Sequence, residues 1–529
     1  MFYFTKKRFY DFGRENKWFI AFSTLLVAIC YGIKIAYQTI SLDMEIMIDE
    51  PSRIYEQWIA VRRWGMILYK WITGTMSFNM PMETVLLLVN LLLAAVAFAF
   101  LLDTLTEGKC RVGLYVFTVL FLTHPVWGEQ YIYMVQAAGN SFALFLSAIT
   151  MMLIIDGLRG RNPWRIIAAL ISGAICLGTY QSYDYLMLAL LLAVYMLLMQ
   201  ENRLKWKARL RMTVEYIVYY VVIRLVSWVV GNCFMNDIGD SAYANYQQAQ
   251  GNWGKESLWD CWSTIGKSLG RILSGGACYN VVFIVAVVAA IAAFCITAKK
   301  YKGWPFMLAA LLLMIGTPFV RLFATATEQS VRSNLALTFV AAFLCFYVLS
   351  EVALNWLMWL LCIPAFYMGV RQIESVQRIQ YTEQVRYTQD VALAEDIMDQ
   401  ISELQMGNIE DIPLVFVGSY KAPLNDACVK SRHITIAGKS IFELYDDNRA
   451  NAFLRDLGYK VGDCTEEQKS MAVELVNSIP ATSFTSDGYV TYVSGMIVVN
   501  LDRMPSVREA TQIVEETPED HATLLLGGE

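Results

Sequence analysis

The chain of 529 residues is 56% hydrophobic and only 17% charged, and its formal net charge is −5. Soluble domains are about 25% charged, so this composition excludes an ordinary soluble protein. The apolar residues fall in repeated runs of about 17–22, a length that crosses the hydrocarbon core of a bilayer as a helix. The sequence therefore predicts a polytopic α-helical membrane protein with about eleven transmembrane helices.

The charges are divided unevenly along the chain. Residues 1–370 contain 29 Lys and Arg against 21 Asp and Glu, whereas residues 371–529 contain 13 against 26. A nucleic-acid partner is not expected for such an acidic segment. The division predicts a transmembrane domain over 1–370, a small α/β domain over 371–505 and an acidic, disordered tail over 506–529.

Lys and Arg in the short loops indicate the orientation of the spans. The predicted spans lie near residues 18–38, 82–102, 112–123, 134–155, 164–180, 183–200, 211–231, 277–298, 304–322, 334–350 and 353–370. Cations cluster at the N-terminus and in every second loop, for example over Arg203–Arg211. This alternation predicts a multi-pass protein of the cell membrane with a cytoplasmic N-terminus and an extracytoplasmic α/β domain.

The acidic half has the mixed pattern of a small α/β domain. The predicted helices cover residues 384–405, 449–457 and 466–477, and the predicted strands cover 413–418, 490–492 and 496–500. Cys428 and Cys464 are the only cysteines in this half. Their spacing leaves open whether they form a disulfide.

The stretch Ser41–Pro51, which follows the first apolar run, contains four carboxylates: Asp43, Glu45, Asp49 and Glu50. A carboxylate at the centre of a bilayer costs about 2.5–3.5 kcal/mol, so these acids are expected just beyond a membrane helix. In an extended stretch Asp43 and Glu45 would share one face, whereas in a helix they would diverge. The acids belong either to a reaction site or to a solvated loop, and their spacing leaves both open.

Cations and indoles follow these acids, including Arg62, Arg63, Trp64 and Lys70. Transfer of a sugar to an alcohol needs a base for the acceptor proton and positive charge on a departing phosphate. One ionised carboxylate and one or two arginines would supply both. Outside the cytoplasm the donor would be a sugar carried on a lipid phosphate. Lys70 is expected to lie at the membrane interface with its amine in water.

Several motifs, taken in order, resemble those of the GtrII-type bacterial glucosyltransferases of the GT-C superfamily. They are Asp43-x-Glu45, Arg63-Trp64, Thr123-His124-Pro125-x-Trp127 with Glu129-Gln130, Thr179-Tyr180-Gln181, Arg332, PLVFVG at 413–418 and KSIF at 439–442. In that family a glycine usually precedes the Arg-Trp pair, whereas this chain has Arg62 there. The difference leaves open whether Arg62 or Arg63 is the functional cation.

The resemblance implies transfer of a sugar, often glucose, from a polyprenyl phosphate such as undecaprenyl phosphate to a cell-surface glycan, with inversion at the anomeric carbon. Asp43 would be the base, and Glu45 would assist it or bind the acceptor. The residues implied to hold the donor phosphate are Arg63, Arg62 and Arg332. Those implied to contact substrate are His124, Glu129, Tyr180, Gln181 and Trp64.

Several of these assignments have a structural alternative. Arg332 could anchor the end of a membrane helix. His124 could form a helix-terminating turn, and Tyr180 and Gln181 could pack between helices. The acidic domain is expected to bind the acceptor or stabilise the assembly without carrying the chemistry, because its acids are spread along helices.

No cofactor is expected. Asp43 and Glu45 offer the oxygen ligands that a divalent cation takes, but two carboxylates are a small ligand set and a metal is not favoured. Two other functional classes remain open, a transporter or flippase for a lipid-linked sugar and a non-catalytic membrane subunit. A transporter would carry charges within spans and show related halves, whereas the spans hold few charges, such as Asp184 and Arg224.

Overall fold

A computed structural model describes residues 4–235, 251–276, 281–352, 355–430, 435–443, 447–480, 483–485 and 487–504. The predicted acidic tail over 506–529 lies outside the described residues. The first helices are α1 Lys6–Glu15, α2 Lys17–Tyr31, α3 Ile33–Ala36, α4 Met44–Asp49, α5 Ser52–Ala60, α6 Trp64–Thr73, α7 Met80–Leu105, α8 Arg111–Leu122, α9 Pro125–Gln130, α10 Met134–Gly160, α11 Pro163–Thr179 and α12 Tyr183–Met199.

The later helices are α13 Trp206–Met235, α14 Leu258–Ser274, α15 Val282–Thr297, α16 Trp304–Gly316, α17 Val320–Thr325, α18 Leu335–Glu351, α19 Asn355–Glu403, α20 Asp447–Asp456 and α21 Glu466–Val476. The three strands are β1 Leu414–Val417, β2 Val490–Val493 and β3 Met496–Asn500. The described residues are therefore mostly helical.

Six described helices are long and apolar enough to cross a membrane, and they cover Met80–Leu105, Met134–Gly160, Trp206–Phe234, Val282–Lys300, Trp304–Thr325 and Trp356–Glu403. Five shorter apolar helices are α2, α8, α11, α12 and α18. Each predicted span overlaps one of these helices. The protein is thus a polytopic helical membrane protein, and the number of helices that cross the bilayer stays a prediction.

The chain divides into two compact units. The membrane unit contains the described residues of Met1–Gln38, Glu50–Tyr381 and Ser431–Ala437. The sheet unit contains those of Thr39–Asp49, Thr382–Lys430 and Gly438–Glu529. The short segment Thr39–Asp49 therefore groups with the C-terminal part of the chain and not with the helices that flank it in sequence.

Two features of the membrane unit explain how its helices start and pack. Asn79 and Asn162 cap α7 and α11 by accepting backbone N–H groups, and a proline stands in the first turn of each helix. Gly65 of α6 faces α11 so closely that a Cβ atom there would lie 2.5 Å from the Ile175 carbonyl oxygen. Small residues of this kind allow membrane helices to approach.

Lys70 lies inside the membrane unit, so the expectation of an interfacial amine was wrong. Its side chain is 1% exposed, and its Nζ lies 2.5 Å from Oε1 of Glu83. The amine also donates to the Thr75 carbonyl. A buried charge without a partner is costly, and Glu83 in the first turn of α7 supplies that partner.

The sheet unit is built on a three-stranded sheet with the order β1-β3-β2. β1 pairs with β3 in parallel, and β2 pairs with β3 antiparallel. All four residues of β1 are buried, as expected for a strand covered on both faces. Leu414 and Phe416 pack in a core with residues of α19 and α20, whereas Val415 and Val417 pack with residues of α21.

The segment Thr39–Asp49 contributes to this core. Leu42 is 7% exposed and belongs to the cluster that contains Leu393 of α19 and Phe453 of α20. The acid-rich stretch of the sequence is therefore anchored by an apolar residue within the sheet unit.

Candidate functional site

A cavity of about 670 Å³ in the membrane unit is lined by five arginines, and we call it the arginine cavity. The arginines are Arg62, Arg63, Arg224, Arg321 and Arg332. Its aromatic lining comes from Tyr180, Tyr185 and Trp228. Among the described residues, Asp184 is the one carboxylate in the lining. Five guanidinium groups around one carboxylate give the cavity a strong positive potential, which favours an anionic ligand.

The turn between α5 and α6 places two of these arginines. The N–H of Arg62 donates to the Ile59 carbonyl, and the N–H of Arg63 donates to the Trp58 carbonyl. Together these bonds form a Schellman motif, which requires a left-handed residue after the helix. Arg62 is that residue, with φ of +58°. The motif explains why glycine suits this position, since glycine adopts positive φ without steric cost.

We expect Arg62→Gly to be more stable than Arg62→Ala by about 1 kcal/mol, because alanine keeps the left-handed strain that glycine removes. Both variants lack the cation, so both should weaken anion binding equally. Thermal unfolding in detergent measures the first effect. An alanine variant as stable as the glycine variant would show that the left-handed conformation imposes no constraint here.

Arg63 is held by neutral partners. Its Nη1 donates to Oε1 of Gln136 over 3.1 Å, and its Nε donates to Oε1 of Gln181 over 3.4 Å. The guanidinium carbon lies 4.7 Å from the centre of the Tyr180 ring, within cation–π range. Gln181 also donates from Nε2 to the Val61 carbonyl, which fixes the turn. Arg63 is therefore oriented while its charge is not neutralised by these partners.

Three other arginines of the cavity also lie over aromatic rings. Arg332 is 4.2 Å from the centre of the Tyr133 ring, and Arg62 is 5.9 Å from that of Trp228. Arg224 lies over Tyr220 and 3.1 Å from Oδ2 of Asp184. The Tyr220 hydroxyl donates to Oδ1 of the same carboxylate over 2.6 Å. Aromatic faces thus orient several of the guanidinium groups toward one space.

Asp184, Arg224 and Arg321 were not among the residues that the sequence assigned to the site. A signal for them was present, because each is a charged residue within or at the end of an apolar run. Ionisable residues in such runs usually face a functional pathway. By contrast, Arg62, Arg63, Arg332, Tyr180 and Gln181 were selected from the sequence, and the structure brings all five together in the cavity.

Trp64 lines a different space, an apolar groove of about 280 Å³ in the membrane unit. The groove is lined by Tyr55, Ile59, Trp64, Ile67, Leu68, Trp71, Val230 and Phe234. The indole packs against Gly178 and donates from Nε1 to the Ser227 carbonyl. Because Ser227 of α13 also lines the arginine cavity, residues of α13 line both the groove and the cavity.

His124 and Glu129 are buried and do not line the arginine cavity. His124 is the N-cap of α9, since its Nδ1 accepts the N–H of Val126 over 3.2 Å. Oε2 of Glu129 accepts the N–H of Ile436 over 3.1 Å. Both residues therefore have a structural role, and their predicted contacts with substrate stay predictions.

Asp43 and Glu45 lie in the sheet unit, where Arg449 binds both. Nη2 of Arg449 is 2.6 Å from Oδ1 of Asp43, and Nη1 is 2.9 Å from Oε1 of Glu45. Glu45 belongs to α4 and Asp43 precedes it, so the pair is not extended. One guanidinium with two terminal nitrogens nevertheless reaches both carboxylates.

Arginines also pair with the other two acids of the stretch. Arg455 binds Asp49 through two nitrogens, at 2.9 and 2.7 Å, and Arg53 pairs with Glu50. Each of the four acids is therefore paired with an arginine, while Asp43 and Glu50 remain about half exposed. Within the described part of the chain, no group of three or more His, Cys, Asp or Glu side chains is placed to hold a metal ion.

Burial is the main influence on the protonation of the acidic cluster formed by Asp43, Glu45, Asp49 and Asp456. It raises the pKa of the Glu45 carboxyl to about 7, and the charge of Arg449 acts in the opposite direction. Burial and the carboxylates of Asp49 and Glu45 raise the pKa of Asp456 to about 8. At neutral pH the cluster therefore holds one or more protons that ordinary carboxylates would have lost.

A comparison with known families gives one result. The family model described as Glucosyl transferase GtrII matches residues 32–349. No curated protein and no solved structure matches the chain. The matched region includes the whole lining of the arginine cavity as well as Asp43 and Glu45.

Proposed function

Because the chain belongs to the GtrII glucosyl transferase family, we propose that it transfers glucose from a polyprenyl-phosphate donor to a cell-surface glycan. The membrane-embedded protein supplies the scaffold that such a donor requires. The acceptor hydroxyl attacks the anomeric carbon as the bond to the phosphate breaks, so the configuration inverts. The acceptor proton passes to a carboxylate, and the polyprenyl phosphate leaves as an anion.

The arginine cavity is the observation that carries this proposal. A departing phosphate gains negative charge in the transition state, and preoriented guanidinium groups stabilise that charge. Arg63 is suited to this role because its protein partners are two amide oxygens and an aromatic ring. Arg332, also over an aromatic ring, would hold a second phosphate oxygen.

The apolar groove supports a donor with a hydrocarbon tail. Trp64 of the groove follows Arg63 of the cavity directly, and α13 supplies Trp228 to the cavity and Val230 to the groove. A molecule with a phosphate head and an isoprenoid tail would satisfy both surfaces. A free nucleotide sugar would leave the groove unused.

Asp43 is the proposed base. Its side chain is 43% exposed and so remains open to an acceptor hydroxyl, whereas Glu45 beside it is fully buried. Asp184 is the alternative base, because it lines the arginine cavity. However, the Asp184 side chain is only 18% exposed and is held by both Tyr220 and Arg224, which favours a role in orienting the cation.

The decisive experiment uses the purified full-length chain in vesicles that contain labelled polyprenyl-phosphate glucose. We expect donor to be consumed and label to appear in an added cell-surface glycan, with slow release of glucose when the glycan is omitted. Movement of intact donor between leaflets without consumption would instead support a flippase. If neither process occurs in the folded protein, the proposed activity is wrong and a non-catalytic role is favoured.

A further inference from the structure

An arginine from the C-terminal part of the chain contacts the proposed base. Arg449 lies in the first turn of α20, and its side chain is 20% exposed. Its two terminal nitrogens are divided between the two carboxylates, one to Asp43 and one to Glu45. Because Glu45 is fully buried, removing the guanidinium would leave a buried carboxyl without its cation.

The backbone of the carboxylate segment is also constrained. Asp43 has φ of +71°, a left-handed conformation that few residues other than glycine adopt. Strain of this kind persists only where the surrounding structure enforces it, and it often occurs at functional sites. Here the buried Leu42 on one side and the bound Glu45 on the other hold Asp43 in place.

Several other charges surround the pair. Asp49 lies on α4, the helix that contains Glu45, and Arg455 and Asp456 lie on α20. Arg455 forms ion pairs with both Asp49 and Asp463, so those two carboxylates balance its charge. From α19, Tyr387 lies near Asp456. Arg449 is therefore the cation in direct contact with Asp43 and Glu45 among the described residues.

We propose that Arg449 is a positioning residue of the transfer reaction, which fixes the direction of the Asp43 carboxylate and places a cation against the buried Glu45. Asp43 takes the acceptor proton, and the guanidinium stays charged throughout. The proposal rests on the proposed role of Asp43 as base. It modifies the expectation that the acidic domain takes no part in the chemistry.

The expected consequence is a change in pH dependence. Arg449 lowers the pKa of Glu45, against the effect of burial. Without that cation the Glu45 carboxyl, beside Asp43, would hold its proton to higher pH. The acid limb of the pH profile of the transfer rate should therefore move upward, by about one pH unit or more.

The test compares Arg449→Gln and Arg449→Lys with the wild-type chain. Glutamine should lower kcat about tenfold or more and shift the acid limb upward, with the donor KM unchanged. Lysine keeps the charge but offers one nitrogen, so it should keep the pH profile while lowering kcat. Lys421→Met is the matched control, because it breaks an ion pair with Glu443 elsewhere in the sheet unit.

The outcomes separate this proposal from the proposed function. If Arg449→Gln is folded and its pH profile is unshifted while Asp43→Asn is inactive, the positioning role is wrong and the base assignment stands. If Asp43→Asn keeps full activity, the base assignment itself fails. If Arg449→Gln does not fold, an Arg449→Lys variant with wild-type kcat would overturn the proposal.

Discussion

Replacing Asp43 with asparagine should slow sugar transfer at least about a hundredfold, since general bases contribute about 10²–10⁴-fold to rate. Asparagine keeps the shape of the side chain and removes its basicity. It also tolerates the left-handed conformation of Asp43, so the backbone should be unchanged. The measurement is the transfer rate at saturating donor, with donor binding measured separately and expected to persist.

Two further variants identify the base. Glu45→Gln should have a smaller effect, because this side chain is buried and Arg449 holds it. Asp184→Asn should weaken donor binding through a misplaced Arg224 while sparing the chemical step. If Glu45→Gln transfers sugar more slowly than Asp43→Asn, Glu45 is the base and Asp43 is the assisting residue. If only Asp184→Asn abolishes transfer, the base lies in the arginine cavity.

Replacing Arg63 with alanine should weaken binding of the donor about 10- to 150-fold. Each hydrogen bond to a charged group contributes about 1.5–3 kcal/mol, and every 1.4 kcal/mol changes affinity about tenfold. Because the neighbours Gln136 and Gln181 are neutral, the loss should reflect the missing phosphate contact and not a stranded charge. Binding of polyprenyl phosphate to the purified protein, measured at fixed ionic strength, tests this.

Arg371→Ala is the matched control, because Arg371 is an exposed arginine of the membrane unit that pairs with Glu374. It should bind donor as the wild-type chain does. Arg63→Lys should be intermediate, since lysine keeps the charge but loses the planar fork. Equal binding by wild-type and Arg63→Ala proteins would remove Arg63 from the donor site.

The helices were largely predictable because the membrane imposes a strong and local rule. A run such as Met80–Leu105 must satisfy its backbone internally, so its apolar length alone predicts a helix. The sheet strands followed from the same local patterns, as in β1, whose residues are buried on both faces. The prediction for Lys70 was wrong because the burial of its amine depends on Glu83, a partner 13 residues away. Hydropathy gives no information about such a partner.

The arginine cavity was only partly predictable. Arg63, Tyr180 and Gln181 were found because they belong to short motifs. Arg224 and Arg321 stand alone in apolar surroundings, and nothing local indicates which helices they face. Arg449 gave no signal at all, since one of its partners lies 406 residues earlier in the chain. Periodicity describes the neighbours within one element, whereas such a pair depends on the tertiary fold.

That separation in sequence has a consequence for how the protein is made. A ribosome adds about 5–20 residues per second, so roughly 20–80 s pass between the synthesis of Asp43 and that of Arg449. During this interval α7 and α10 can enter the bilayer while the acids near the first span still lack their cation. A chain that ended before Arg449 would therefore carry the arginines proposed to bind the donor, but it would lack the cation that contacts Asp43 and Glu45.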